Sequence, residues 1–299
     1  MIGELAALGA AVSWAIAPIL YRMALSDTKP VSANIVRLVT NAAVLVTVLV
    51  GFGLVGVLVG LPSWVLAVVI ISGVLGLGVG DTLYLFGLKS LGVSRAVPLA
   101  ASYPLFSLVW AVFLLGQPLS MTTLVGAAVI LAGIWLLSSQ RVPGEAAVRG
   151  KAAWIGVAMC LGTAVVWSVG ITMMDLAVTA STVNGLGANY AIVTVRIVAM
   201  ALILLVLAPF VDRDRVFLKL NRRTVVLLCV GGLVANGLGW LLMNYAFLNL
   251  TEAQAVPISS TSPLFATLAG FLFFREKATV KTVAGAISVV IGIALIFVI

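Results

Sequence analysis

The sequence predicts an all-α, polytopic membrane protein of ten transmembrane helices, arranged as two inverted five-helix repeats. Three observations carry that prediction. Hydrophobic residues make up 63% of the 299 and charged residues only 9%, against roughly half and a quarter in soluble domains. The apolar residues come in about ten blocks, each near or above the ~20 residues that cross a ~30 Å hydrocarbon core. And AVPLAASYPLF at residues 96–106 returns as AVPISSTSPLF at residues 255–265.

Taken in order, the blocks lie near 3–24, 33–56, 64–88, 95–115, 120–138, 152–176, 186–209, 224–248, 254–274 and 279–298. The first opens as MIGELAALGAAVSW, with neither a basic n-region nor a clear cleavage site, and reads as a retained helix rather than a signal peptide. DTKP, LPS, GQPLS and VPGE punctuate later blocks as turn or breaker signals. VDRDRVFLKLNRR at 211–223, the longest polar interruption, reads as a solvated loop. Cys160 and Cys229 both lie inside apolar blocks, so no disulfide framework is implied.

The repeat register extends past the opening motif. Arg37 falls on Arg196, Gly80 on Gly239, Gly126 on Gly285 and Gly133 on Gly292, all at one offset, and Trp14 pairs with Trp167 at a slightly smaller one. The halves are residues 1–140 and 141–299. Five spans per half is an odd number, so the second half enters the membrane from the opposite face, as in many alternating-access transporters.

The net charge of +8 does not point to nucleic acid, because the basic residues sit in short loops between apolar blocks. Arg22, Lys29, Lys89, Arg95, Arg141, Arg149, Lys151, the 213–223 cluster, Arg275, Lys277 and Lys281 all fall in or beside odd-numbered loops, whereas the other face carries only Glu4 and Glu252. By the positive-inside rule the odd loops are cytoplasmic and both termini lie outside the cell membrane.

Within the repeated motif, Pro98 and Pro257 come early enough to be tolerated in a first helical turn. Pro104 and Pro263 lie deeper, where each removes a backbone hydrogen bond and kinks the helix. Carbonyls freed at membrane depth need hydroxyls, water or a cavity. Ser102 and Tyr103 in one copy and Ser259, Ser260, Thr261 and Ser262 in the other are placed to line such a cavity, or else to bond back to their own helices.

Arg37 and Asp81 are the sharpest signals. Each stands eight residues from a loop lysine, Lys29 and Lys89 respectively, on the same face. An unpaired charge inside the membrane is expensive, so an ion pair between them is expected. Arg196 has no aspartate in register, because position 240 is tryptophan, and Asp175 is its nearest candidate partner. Asp81 is also a candidate proton carrier. Trp14, Trp167, Tyr84, Asn236, Asn244 and Tyr245 could complete a pocket. The glycines of GVLGLGVG and GGLVANGLG permit close helix approach; no GK[ST] follows, so neither is a nucleotide loop.

GDTLYLFGLKSLGVSRAVPL leading into YPLF, the turn GQPLS and then GAAVILAGIWLL, repeated in outline by FFREKATVKTVAGAISVVIGIALI, resembles the EamA-type proteins of the drug/metabolite transporter superfamily. The resemblance implies a central cavity lined mainly by spans 1, 3, 4, 6, 8 and 9, with spans 5 and 10 peripheral. It also implies movement of small metabolites, often amino acids outward, without ATP. Family halves often carry Gly-Glu after spans 4 and 9; here those sites read Gly116–Gln117 and Arg275–Glu276. Family termini are usually cytoplasmic, opposite to the orientation that the charges predict. The four-span multidrug relatives rely on a carboxylate deep in span 1, and GAAVSWAIAPIL has none.

The expected protein is therefore a secondary exporter of small metabolites, amino acids first, with an organic-anion or sugar-conjugate carrier as the alternative. The bilayer and a small-molecule substrate are its partners, with proton coupling through Asp81 and a monomer or weak homodimer as further expectations. No cofactor, metal or nucleic acid is called for. The chain has no histidine and no nucleophile with an evident base, which argues against an intramembrane enzyme.

Overall fold

The computed structural model describes residues 1–138, 151–180, 185–265 and 279–297, and among these it is helical with no strand. Span 1 is Ile2–Ala24 and span 2 Pro30–Gly51. A short helix, Val55–Val59, follows on the surface. Span 3 runs Ser63–Leu91 and span 4 comes in two pieces, Val93–Ala100 and Tyr103–Phe113. Span 5 is Met121–Ser138, span 6 Lys151–Val178 and span 7 Gly185–Val211. Span 8 is Arg222–Phe247, span 9 opens as Glu252–Ser259 and span 10 is Val280–Phe297. Spans 1, 2, 3, 6, 7 and 8 are long and apolar enough to cross a membrane. Span 9 beyond residue 265, the Arg275–Glu276 site and the 140/141 boundary lie outside the described residues.

Two features depart from simple helices. The prolines of the first motif break span 4 rather than kink it: a turn at Ala101 and Ser102 separates the pieces, and Pro104 starts the second within its first turn, where its missing N–H costs nothing. The second motif turns likewise at Ser260 and Thr261. The other feature is a π-helical section in spans 3 and 8, at Val74–Gly80 and Leu233–Gly239. These sections occupy equivalent positions in the repeat register.

Glycine explains why both sections sit where they do. A Cβ added at Gly80 would lie 2.6 Å from the Trp167 ring, and one at Gly239 would lie 2.6 Å from Trp14 Nε1. Each half thus presents a glycine to the other half's span-1 or span-6 tryptophan. Backbone carbonyls in or at the end of these sections take side-chain donors: Leu77 from Asn34 Nδ2 (2.9 Å), Gly80 from Thr163 Oγ1 (3.2 Å) and Ala235 from Trp14 Nε1 (3.0 Å). Buried backbone groups displaced from a regular ladder need such partners.

Spans 5 and 10 pack chiefly on each other. A Cβ at Gly126 would sit 2.8 Å from the Gly292 carbonyl, and one at Gly133 would sit 2.8 Å from the Gly285 carbonyl. The register partners cross over, Gly126 meeting Gly292 and Gly133 meeting Gly285, as a two-fold relation requires. At one end the loops after spans 1, 3 and 7 meet: Arg22 donates to the Lys89 carbonyl (3.0 Å), Lys89 to the Thr28 carbonyl (2.7 Å), and Lys29 pairs with Asp214 (2.5 Å).

Candidate functional site

Spans 1, 2, 3, 4, 6, 7, 8 and 9 converge on one cavity of about 110 Å³, several times the volume that one water needs. Its walls are aromatic: Trp14 and Tyr21 from span 1, Tyr84 from span 3, Tyr103 from span 4, Trp167 from span 6 and Trp240 from span 8. Its charged residues are Arg37, Asp81 and Arg196. Spans 2 and 7 enter the lining only through their arginines, an addition to the six spans that the resemblance implied.

In the first half the expected ion pair is present. Arg37, 2% exposed, donates through Nη2 to Asp81 Oδ2 and to Asn34 Oδ1, each at 2.6 Å. Asn34 is itself fixed by Leu77 and by Thr82 Oγ1 (2.9 Å). Trp167 Nε1 donates to the other carboxylate oxygen, Asp81 Oδ1, at 2.8 Å. The Arg37 guanidinium also lies 5.0 Å from the centre of the Tyr21 ring. Both oxygens of Asp81 are therefore engaged, and its charge is matched.

The second half resolves the same problem differently. The Arg196 guanidinium is 1% exposed and stacks 3.7 Å from the centre of the Trp240 ring, the residue that occupies the aspartate's place in the register. A cation over an indole face is attracted by the ring quadrupole, more strongly when desolvated. Space for the guanidinium comes from Gly76, where an added Cβ would lie 2.6 Å from Arg196 Nη2. Arg196 Nε and Nη1 have no hydrogen-bond partner among the described residues. The expectation that Asp175 would pair with Arg196 is corrected: Asp175 accepts from Gln117 Nε2 at 2.8 Å instead.

Other donors of lining residues are also unpartnered among the described residues: Tyr21 Oη–H, Asn236 Nδ2 and Arg37 Nε. The lining is thus rich in free donors and carries one positive charge unmatched by a carboxylate. Such a surface suits an acceptor-rich, negatively charged group.

Of the residues singled out in the sequence, Trp14, Arg37, Asp81, Tyr84, Tyr103, Trp167, Arg196 and Asn236 line this cavity. Ser102 bonds back to the Leu99 carbonyl (2.7 Å). Ser259, Ser260 and Thr261 bond back to the carbonyls of Val256, Pro257 and Ile258 at 2.7–2.9 Å. Ser259 also stands 3.4 Å from Tyr103 Oη. Asn244 is a cross-link, donating to Asn189 Oδ1 at 2.9 Å, and Tyr245 lies off the lining. Ser262, not its three neighbours, is the hydroxyl of the second motif that faces the cavity. Trp240 and Tyr21 were not chosen from the sequence, because an aromatic residue in an apolar run carries no mark of its role.

The model of the EamA-like transporter family matches residues 1–139 and again residues 154–298. The chain belongs to the EamA-like transporter family. An uncharacterized transporter of Archaeoglobus fulgidus is 26% identical over 303 aligned residues, covering 99% of this chain and 98% of that protein. A solved crystal structure shares the fold, with a TM-score of 0.75 at 18% identity over 98% of this chain and 95% of its own. This EamA-like protein is accordingly a multi-pass membrane transporter, and a small-molecule substrate and a membrane environment follow from its family.

Proposed function

We propose that the protein is a secondary exporter of small carboxylate-bearing metabolites, amino acids first, working by alternating access around the central cavity. The single observation that supports this is the charge asymmetry of that cavity. Arg37 is paired with Asp81, whereas Arg196 has no carboxylate partner among the described residues and offers free donors from an aromatic wall. A substrate carboxylate would meet Arg196 and Asn236, and an ammonium group would rest against the aromatic faces beside Asp81. Residues 1–140 and 141–299 act as two inverted halves that rock about this site, with both termini outside.

Counterflow in proteoliposomes tests the proposal. Vesicles loaded with an amino-acid mixture are expected to accumulate a trace of one labelled member; failure of every amino acid would remove the substrate class. A second reading, an organic-anion or sugar-conjugate carrier, is favoured by the surplus of donors over free acceptors. Accumulation of anionic label with none of any amino acid would establish it. For the orientation, cysteines introduced near positions 145 and 250 are expected to label from outside only at the second; the opposite pattern would reverse it.

A further inference from the structure

Glu252 stands within the polar stretch NLTEAQ and looks in sequence like a loop residue, but it is 0% exposed. Span 9 begins at this residue, with Thr251 as its N-cap and Gln254 Oε1 accepting the Thr251 N–H at 3.2 Å. That start turns Glu252 inward, onto span 6. Its Oε1 accepts from Thr172 Oγ1 at 2.7 Å, and its Oε2 has no partner among the described residues. One turn further along span 6 is Asp175, 2% exposed, with Oδ2 held by Gln117 and Oδ1 unpartnered.

An independent observation comes from span 4. Ser107 is 1% exposed and its hydroxyl sits beside the Glu252 carboxyl, outside hydrogen-bonding geometry and without another partner. The hydroxyl is free to donate or to accept there, according to the state of the carboxyl.

No cation balances this pair among the described residues. Asp175 is the titratable group that faces Glu252 from span 6, and span 4 brings Ser107. Span 1, which also packs on span 9, carries Glu4, held by the terminal ammonium at 2.6 Å. The described parts of spans 5, 8 and 10 that pack on span 9 add no Lys, Arg, Asp or Glu there. Two buried carboxylates, one bonded to Thr172 and the other one turn along the same helix, cannot both stay ionised at acceptable cost.

We propose that Glu252 and Asp175 form a proton-binding site, separate from the central cavity, that couples transport to a pH gradient. The proposal rests on the transporter reading above, and it places coupling at these residues instead of Asp81, whose charge is already matched by Arg37. A proton arrives from water on Glu252 Oε2 or Asp175 Oδ1, which allows the sealed arrangement. Its departure leaves two like charges that drive spans 6 and 9 apart and open that end. The link to the cavity is short: Tyr103 and Ile171 line it, and Ser107 and Thr172 on the same two helices reach the carboxyl pair.

Two readouts test it on the purified, full-length protein. Infrared difference spectra between acid and alkaline buffer are expected to show a carboxyl C=O band that Glu252→Gln removes, Asp175→Asn shifts and Glu4→Gln leaves in place. In proteoliposomes, the stimulation of label accumulation by an imposed pH gradient is expected to disappear in Glu252→Gln, with abundance and melting used to confirm folding. A band or a stimulation that survives in both Glu252→Gln and Asp175→Asn would overturn the site. Accumulation that follows a sodium gradient and ignores a pH gradient would overturn the proton as its ligand. If the wild type moves no solute, the transporter reading fails, and the infrared band still decides whether the pair binds protons.

Discussion

The two halves keep the same arginine and treat it in opposite ways. Arg37 lies against a carboxylate, Asp81, which also accepts from the other half's Trp167. Arg196 lies against an indole, Trp240, while the other half's Trp14 donates to a backbone carbonyl instead. One substitution in register, carboxylate for indole, separates a neutral arrangement from a cationic one. The duplicated architecture therefore does not make a symmetric site. It makes a cavity with one guanidinium paired to a carboxylate and one stacked on an indole.

The largest effect expected from this comparison is a crossing of stability and activity. Arg37→Met strands Asp81 in a buried site, and removing one member of a buried pair costs about 3–5 kcal/mol. Thermal melting and membrane abundance should fall sharply. Arg196→Met strands no carboxylate among the described residues, so melting is expected to hold or rise, while substrate exchange falls at least about tenfold, or ~1.4 kcal/mol. Equal melting losses in both variants would mean that Arg196 is as structural as Arg37.

A more selective change writes the first half's solution into the second. Trp240→Asp supplies Arg196 with a counter-charge in the place that Asp81 holds in register. Carboxylate substrates are expected to lose about tenfold in apparent affinity, because the guanidinium is already satisfied. Trp240→Phe, which keeps an aromatic face, should cost roughly 1 kcal/mol or less of binding. Isotherms for the labelled substrate separate the two. An unchanged affinity in Trp240→Asp would place the substrate's charged group elsewhere.

Where the halves are alike, equal effects are expected. Cβ atoms added at Gly126 and Gly292 would approach backbone of the facing helix at 2.8 and 2.7 Å. Gly126→Ala and Gly292→Ala should therefore each lower stability by about 1–3 kcal/mol, the usual range for overpacking. Gly237→Ala, with no neighbour closer than 4.0 Å, should be nearly silent. Melting curves of the three would check that symmetry persists at the periphery while it fails at the cavity.

Much of this was legible in the sequence for identifiable reasons. Hydrocarbon thickness makes a span visible as a block of apolar residues, and the cost of a lone membrane charge made Arg37 and Asp81 a pair before any coordinates. Hydroxyl direction was not legible: Ser259, Ser260 and Thr261 bond back to their helix, and Ser262 alone of that run faces the cavity, although all four are equally polar. The π sections were hidden because a glycine run signals close approach without saying which hydrogen-bond spacing delivers it. Glu252 was hidden by its neighbours, since the helix start that buries it depends on the Thr251–Gln254 contact and not on hydrophobic periodicity.

A small, salt-sensitive effect is expected where the halves touch through a solvated ion pair. Lys29, in the first half, holds the Asp214 carboxyl below its ordinary range, and Asp214 in turn raises the lysine. The depressed carboxyl contributes stability above its unfolded value, lost as pH falls through the folded one. The raised lysine contributes below its unfolded value, lost as pH rises through the folded one. Between these limits the pair is constant, so it adds no pH dependence near neutrality. Exposed pairs are weak and screened by salt. Asp214→Asn should thus shift melting less than Arg37→Met, Gly126→Ala or Gly292→Ala, and the shift should vanish in high salt. A large, salt-resistant loss would mean that this contact between the halves, rather than the cavity, holds them in the arrangement described.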